Sequence, residues 1–329
     1  MSLSGAEHTP GHPFGHMPNA ELLKLLACPR CKGLLEELES LACIECGSTY
    51  PVVNSIPILL ADERSVFKTS DLVAGRETTY GPPQKGWKRA VGAIIPSFNL
   101  NLGSDKNFEF FFKNLRGGDE KPKVLIIGGA VEGQGLHLDD LKEDLLIVET
   151  DVAFGARTEL ISDAHDLPFR SGVFDGVIAQ AVLEHVIDPF RCVSEIERVL
   201  KGDGLVYAET PFMQQVHMGR YDFTRFTHLG HRYLFRNFEE TSSGPIGGPG
   251  MALAWSWAYF LRSFFRNRTM QKAAFAAGMM TGSWLKYFDH ILCDRPGSYD
   301  AASCYFFLGR KQAEPVEGRE IISNYRGTF

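Results

Sequence analysis

The chain has 329 residues, 44% of them hydrophobic and 22% charged, with a formal net charge of -6 and a pI near 6.0. This length accommodates one large α/β domain with something smaller beside it. The acidic balance gives no general attraction to polyanions, which disfavours nucleic acid as a partner. Residues 1–20 carry neither a basic flank nor an apolar run of leader length, so a loose tail on a cytoplasmic protein is expected. In that tail His8, His12 and His16 are four apart, but Pro10, Gly11, Pro13 and Gly15 oppose the helix that would align them on a metal.

Residues 21–63 contain Cys28, Cys31, Cys43 and Cys46, two C-x-x-C pairs with 11 residues between them. Each pair presents two thiolates from one tight turn, and two such turns complete a tetrahedral zinc site. Paired disulfides need an oxidising compartment, and a redox C-x-x-C needs a βαβ context that this stretch lacks; both are disfavoured. Four protein ligands close the metal to substrate, so its expected role is to fold a segment too short to bury a core. The stretches ELLKLLACPRCKGLLE and LACIECGSTYPVVNSIPILLADE resemble the small zinc ribbon of the tRNA-methyltransferase activator type. Ribbons of that type occur alone as activating partners or fused ahead of methyltransferase domains. The resemblance therefore implies structural zinc and a protein partner or homodimer formed through the ribbon.

Residues 64–121 form a connecting cap. It includes the Gly/Pro-rich GPPQKGWKRA and a helix bearing Phe108, Phe111, Phe112 and Leu115 at core-packing spacing, stopped by Gly117 and Gly118. The strand VLIIGG follows and opens into GGAVEGQG. From Gly128 the third position is Ala130, which breaks the dinucleotide G-x-G-x-x-G, and Gly133 is followed by Gln134 and Gly135, which breaks the P-loop pattern. A cofactor without phosphate needs only close backbone approach, which Gly128, Gly129, Gly133 and Gly135 permit; S-adenosylmethionine is such a cofactor. A second strand, 144–152, ends at Asp151, 23 residues beyond Gly128 and at the distance where an acidic group accepts from ribose hydroxyls, with Glu149 as the competing carboxylate. Residues 161–212 then read strand, turn, strand, helix, glycine stop and strand.

Four motifs in this region, DAHDLPF (163–169), FDGVI (174–178), LEHVIDP (183–189) and RVLKGDG (198–204), together with VLIIGG and VETD resemble the class I S-adenosylmethionine-dependent methyltransferases, in the small-molecule and quinone-biosynthesis branch. The resemblance implies that Gly128, Gly129 and Gly133 lie under the methionine part and that Asp151 binds the ribose hydroxyls. It also implies that Asp163 with the Ala164 backbone reads the adenine edge and that Gln180 borders the methyl group. The alternative for Asp163 is a helix cap or turn residue. His185 is expected in the wall of the site, since nothing in the sequence supplies it with an acidic orienting partner. Ile126 stands where this family usually carries an acidic residue, and Glu132 is the candidate to replace it.

Beyond the next strand, residues 213–240 gather His217, Arg220, Tyr221, Asp222, Arg225, Thr227, His228 and His231 at a strand's carboxyl end, where open α/β sheets place ligands. The run resembles the H-x-x-x-Y-D-F-x-R-F-T segment of methyltransferases of polysaccharide and secondary-metabolite pathways. His217 is nominated as base, and Tyr221, Asp222 and Arg225 as substrate or loop organisers; the alternative for Asp222 and Arg225 is a pair within the turn. TSSGPIGGPG (241–250) reads as a linker, 251–292 as amphipathic helices facing a core, a substrate lid, a dimer interface or a membrane surface, and 301–311 as the closing strand. The tail 312–329 has no readable role.

The expected fold is thus α/β: a zinc ribbon at 21–63, a cap at 64–121, and a Rossmann-like class I methyltransferase sheet with flanking helices at 122–311. A helical insertion at 241–298 precedes its last strand. The expected activity is methyl transfer from S-adenosylmethionine to a small molecule, at a hydroxyl of a sugar, lipid-like or secondary-metabolite acceptor. The alternatives are a ribosomal RNA guanine methyltransferase that docks RNA through the ribbon, and a catalytically silent interaction protein.

Overall fold

The structure, a computed structural model, describes residues 20–37, 40–75, 97–116, 118, 120–130, 136, 138, 141 and 143–328. The tail histidines, the 81–90 stretch, Gly117, Glu132, Gly133 and Gly135 lie outside the described residues.

The ribbon opens with three short antiparallel strands, β1 (Leu35–Glu37), β2 (Leu41–Cys43) and β3 (Thr49–Tyr50). Its next hairpin, β4 (Val52–Val53) and β5 (Ile56–Leu59), leaves that small sheet and joins the large one. The large sheet continues with β6 (Lys123–Ile127), β7 (Leu146–Asp151), β8 (Leu160–Ser162), β9 (Phe174–Gln180) and β10 (Leu200–Pro211), and closes with β11 (Phe238–Gly247) and β12 (Cys304–Lys311). The spatial order is β11, β12, β10, β9, β6, β7, β8, β5, β4, with β12 antiparallel to both its neighbours. β6 and β9 are buried almost throughout, as near-continuous apolar strands of a sheet covered on both faces must be. From β6 the chain steps to β7 and β8 on one side and then crosses to β9 on the other. Such a reversal opens a crevice at the strands' carboxyl ends.

Two helices show why the covering layers form where they do. Pro189–Val199 starts with Asp188 as cap, its carboxylate accepting from the Arg191 amide at 3.0 Å, and buries Cys192, Val193, Ile196 and Val199 from one face. Ser104–Lys113 buries Phe108 and Phe111 as the spacing predicts. Phe111 needs the bare backbone of Gly176 in β9, where an added Cβ would lie 2.5 Å from its ring.

Residues 241–250, read from sequence as a linker, are mostly strand: β11 pairs with β12 from Phe238 to Gly247, with irregularities at Glu240/Ser242 and Pro245/Gly247. As the last strand in the order, β11 needs partners on one side only, which is where a sheet tolerates Pro245. The helices Pro249–Ser263 and Arg268–Gly282 then pack at a small-residue contact, with Gly278 against Ala258. Their outer faces leave Phe260, Phe264 and Met280 exposed, so core packing accounts for one face of the pair and not the other. No helix among the described residues is long and apolar enough to cross a membrane. The C-terminal tail also has a place, since Arg326 and Arg232 both bind the Glu240 carboxylate, at 2.6 and 2.5 Å.

The ribbon does not stand apart. β5 runs parallel to β8, pairing Ile58 with Ile161 and Leu59 with Ser162. Ala27 donates to the Pro168 carbonyl, and Arg170 donates its amide to Leu25, both at 2.9 Å. Lys32 follows the first C-x-x-C at φ 64°, a position that costs a side-chain-bearing residue about 1 kcal/mol; its ammonium reaches Glu195 at 2.8 Å and the Leu167 carbonyl at 3.1 Å. The equivalent position after the second pair is Gly47 at φ 70°.

His228 and His231 turn inward, away from the acceptor-side cluster in which the sequence groups them. Burial, with the nearby Arg232 charge, holds His228 at about 4, and burial holds His231 at about 3. Unfolded histidines titrate near 6.5, so between about pH 6.5 and 4 the unfolded chain binds protons that the native state refuses. Stability therefore falls with pH by about 1.4 kcal/mol per unit for each histidine. Urea midpoints measured from pH 7 to 4.5 should show this slope, reduced in His231→Phe; an identical slope in the variant contradicts the assignment.

Candidate active site

At the four cysteines, Cys28 Sγ lies 3.7 Å from Cys46 Sγ, and Cys31 Sγ lies 3.5 Å from Cys43 Sγ. All four sulfurs fall within 4.8 Å of one another. A tetrahedron with metal–sulfur bonds of about 2.3 Å has edges of about 3.8 Å, whereas a disulfide needs about 2.05 Å. The donor set and its spacing fit zinc and exclude disulfide pairing. The Tyr50 hydroxyl, 3.0 Å from Cys28 Sγ, is placed to donate to that thiolate.

A cleft of about 760 Å³, its open mouth included, lies at the carboxyl ends of β6, β7 and β8. Gly128, Asp151, Asp163 and Ala164 line it, as the sequence predicts. The Gly128 and Gly129 amides both donate to the Thr150 carbonyl, at 2.8 and 2.9 Å, and the Asp151 carboxylate accepts from the amides of Ala130 (3.2 Å) and Ala153 (3.0 Å). The end of β7 thus organises the loop that an acidic residue at position 126 would otherwise serve; Ile126 is a buried apolar residue. Gly128 sits at φ 78° with Val182 2.6 Å from where a Cβ would stand, so the cradle requires glycine. Asp163 both lines the cleft and caps a short turn, accepting from the His165 amide at 3.0 Å and ring at 2.5 Å and from Ser65 at 2.6 Å. Burial opposes its ionisation, but the bonds from His165 and Ser65 outweigh it and hold the pKa below the ordinary value. Gln180 bonds to the buried Glu209 carboxylate and is not among the residues that line the cleft.

The roof of the cleft comes from an unexpected quarter. Val66 and Phe67, in the segment leaving the ribbon, line it together with Tyr221. Phe67 stacks on Tyr221 with centroids 5.5 Å apart. Val66 and Phe67 carry no signal in the sequence, because a lone apolar pair beyond a ribbon is indistinguishable from linker packing.

Next to this cleft a second one, of about 740 Å³, is lined by Met213, Gln215, Asp222, Thr224, Arg225 and Ser256, among others. The Arg225 guanidinium forks onto the Asp222 carboxylate and also donates to the carbonyls of Gln214 (2.9 Å) and Gln215 (3.2 Å). Burial works against Asp222 ionising, yet the Arg225 bonds and the His217 amide dominate and hold it at about 2. Arg225 and Asp222 therefore pair within the turn and organise the loop. The helical insertion anchors the same loop through Tyr259, which donates to the Val216 carbonyl at 2.8 Å, and through Ser256, 3.0 Å from Gln215.

Beside His185 of the first cleft lies a group that the sequence presented only as part of a motif. Glu184 is 1% exposed, and its carboxylate oxygens have no hydrogen-bond partner from another described residue. His185 Nε2 and His217 Nε2 stand 3.7 and 3.9 Å from its Oε1. Burial pushes the Glu184 carboxyl up to about 8, while burial and the His217 charge bring His185 down to about 4. His185 lines the cleft wall as expected, its Nδ1 donating to the Tyr221 carbonyl at 2.8 Å.

Residues 140–208 match the family described as Methyltransferase domain, and residues 19–55 the family described as Trm112p-like protein. Among curated proteins, the N-terminal segment is 44% identical over 57 residues to the UPF0434 protein of Vesicomyosocius okutanii, spanning 17% of this chain and 97% of that protein. It is also 44% identical over 48 residues to the UPF0434 protein of Dechloromonas aromatica, spanning 14% and 83%. Solved structures similar to this chain include phosphoethanolamine N-methyltransferase 2 of Haemonchus contortus in complex with S-adenosyl-L-methionine, at 16% identity and a TM-score of 0.40, covering 66% of this chain and 55% of that one. Geranyl diphosphate C-methyltransferase of Streptomyces coelicolor is 14% identical with a TM-score of 0.38, covering 64% and 78%. The sheet, its cleft and the matched domain define a class I S-adenosylmethionine-dependent methyltransferase with a Trm112-like zinc ribbon. Through that ribbon segment the chain belongs to the UPF0434 family.

Proposed function

We propose that the protein methylates a hydroxyl oxygen of a small-molecule acceptor held between the cofactor cleft and the loop 212–225. The observation that carries this reading is the grouping of Glu184, His185 and His217, with His185 in the wall of the first cleft and His217 3.5 Å from Asp222, which lines the second. When bound, S-adenosylmethionine supplies a methyl carbon made electrophilic by its sulfonium, and the sulfur keeps the bonding electron pair as the methyl leaves. The Gly128–Gly129 backbone lets the methionine end approach, Asp151 accepts from the ribose hydroxyls, and Asp163 with the Ala164 amide reads the adenine edge. The His217 imidazole takes the acceptor's hydroxyl proton as the oxygen–carbon bond forms, with Asp222 stabilising the resulting imidazolium from 3.5 Å. The main contribution of the fold is alignment and exclusion of water, with Phe67 and Tyr221 as the cover. The ribbon supports the cleft from within the same chain, and a partner or second copy would meet the surfaces that β5 leaves free.

Zinc-loaded protein incubated with methyl-labelled cofactor should label members of a panel of sugars, quinols and hydroxylated lipids, with label stable to hydrolysis as expected of an ether. Labelling confined to ribosomal RNA fragments would overturn the assignment.

A further inference from the structure

We propose that Glu184, His185 and His217 form a second metal site, distinct from the four cysteines, that binds one divalent transition-metal cation at the acceptor end of the cleft. Three observations converge. The Glu184 carboxyl is sealed from solvent at 1% exposure without a hydrogen-bond partner from another described residue, an arrangement that is unfavourable unless a ligand compensates it. The Nε2 atoms of His185 and His217 point to the same oxygen, at 3.7 and 3.9 Å, and the donor atoms of the three residues lie within 4.8 Å of one another. Metal bonds of about 2.1 Å place such donors about 3.0 to 3.4 Å apart, so the two Glu184–imidazole edges close by contraction of roughly half an ångström, and the edge between the imidazoles by at most about 1.8 Å.

The third observation concerns the opposite ring nitrogens. Histidines that bind metal through one nitrogen characteristically donate the other to a carbonyl or carboxylate, which fixes tautomer and ring plane. His185 Nδ1 faces the Tyr221 carbonyl at 2.8 Å, while His217 Nδ1 faces the Gln215 carbonyl at 3.3 Å and Asp222 at 3.5 Å. Both rings are therefore turned with Nε2 free to ligate. Asp222 is itself held by Arg225, so this outer layer is a built one.

Two imidazoles and one carboxylate suit a borderline divalent cation, and three protein ligands leave coordination positions open. His217 and His185 are both reached by solvent, with 28% and 20% of their side chains exposed while Glu184 is sealed, so the open positions face outward to the acceptor side. The ligand class is an acceptor with a hydroxyl beside a second oxygen, able to chelate. This rests on the hydroxyl-methylation reading but alters one step: bound to the cation, the hydroxyl is acidified and loses its proton to water, and the oxygen lone pair then forms the bond to the methyl carbon while sulfur keeps the electrons of the broken bond. His217 is then a ligand in place of a base.

The test uses full-length protein with the ribbon already loaded with zinc, titrated with Mn²⁺, which thiolates hold poorly. Electron paramagnetic resonance counts bound ions and calorimetry measures affinity. The expected result is one Mn²⁺ per chain, weakened about 100-fold in Glu184→Gln and His217→Ala, and about 10- to 100-fold in Asp222→Asn. Affinity for S-adenosylmethionine, measured on the same samples, establishes that each variant is folded. Should Glu184→Gln fail to fold, the exposed His217→Ala carries the test. A wild-type protein that binds the cofactor but no Mn²⁺, or Mn²⁺ affinity unchanged in His217→Ala, overturns the metal site. Mn²⁺ binding without cofactor binding leaves the site intact and overturns the reading of the cleft.

Discussion

Stripping zinc from the protein should lower its affinity for S-adenosylmethionine by roughly ten- to a hundredfold, although none of the four cysteines lines the cleft. A ribbon of this size draws its folding free energy from the metal, so chelation unfolds it. Three supports of the cleft then go together: the β5 pairing with the edge of β8, the Ser65 bond to Asp163, and the Phe67 ring stacked on Tyr221. A hydrogen bond to a buried carboxylate is worth about 1.5 to 3 kcal/mol, which converts to the stated range before any loss from the roof is added. Calorimetry before chelation, after it, and after zinc is returned measures the effect. Ser65→Ala, which leaves the metal in place, should lose about tenfold by the same argument. Unchanged cofactor affinity in a protein whose ribbon has unfolded by circular dichroism would show that the ribbon's contacts are incidental to the site.

Asp151→Ala should be more severe, with cofactor affinity falling about a hundredfold or more. Its carboxylate is buried at the end of β7, accepts from the Ala130 and Ala153 amides and faces the cleft, where the proposed function puts the ribose hydroxyls. Truncation removes the acceptor for the cofactor and leaves two backbone donors with no carboxylate, at about 1 to 3 kcal/mol for each buried group left unmade. Thermal unfolding of the cofactor-free variant should therefore drop as well, while Asp151→Asn, which keeps shape and one acceptor oxygen, should fall between the two in affinity. Binding by Asp151→Ala within twofold of the wild type would remove Asp151 from the ribose and move the search to Glu149. That residue's carboxylate is engaged by Arg157 at 2.8 Å.

Much of this architecture could be read locally. Metal-binding turns are set by cysteine spacing, and the strand–turn–strand order through DAHDLPF and LEHVIDP follows from short-range patterning. Asp151 stands out by its place at a strand end and Asp163 by the DAHDLPF motif, and both line the cleft. The same local logic misread 241–250, because the composition of TSSGPIGG signals a turn whereas its hydrogen bonds come from β12, more than fifty residues downstream. It also grouped His228 and His231 with His217 because they are close in sequence. Helix His228–Leu234 instead turns both into the core beneath β12, with His231 0% exposed.

The sequence by itself determined the zinc ligands, the alternation of strands and helices that yields a parallel sheet, and the acidic residues at the ends of its strands, because each depends on contacts within a few residues. Only the tertiary structure decided that the ribbon's last hairpin extends the large sheet, that Phe67 lines the cleft and Ser65 bonds to Asp163 in its wall, and that Glu184 is buried beside two imidazoles. These depend on which distant segments exclude water from one another. Burial of that kind is a property of the packed chain and leaves no periodicity for a sequence to display.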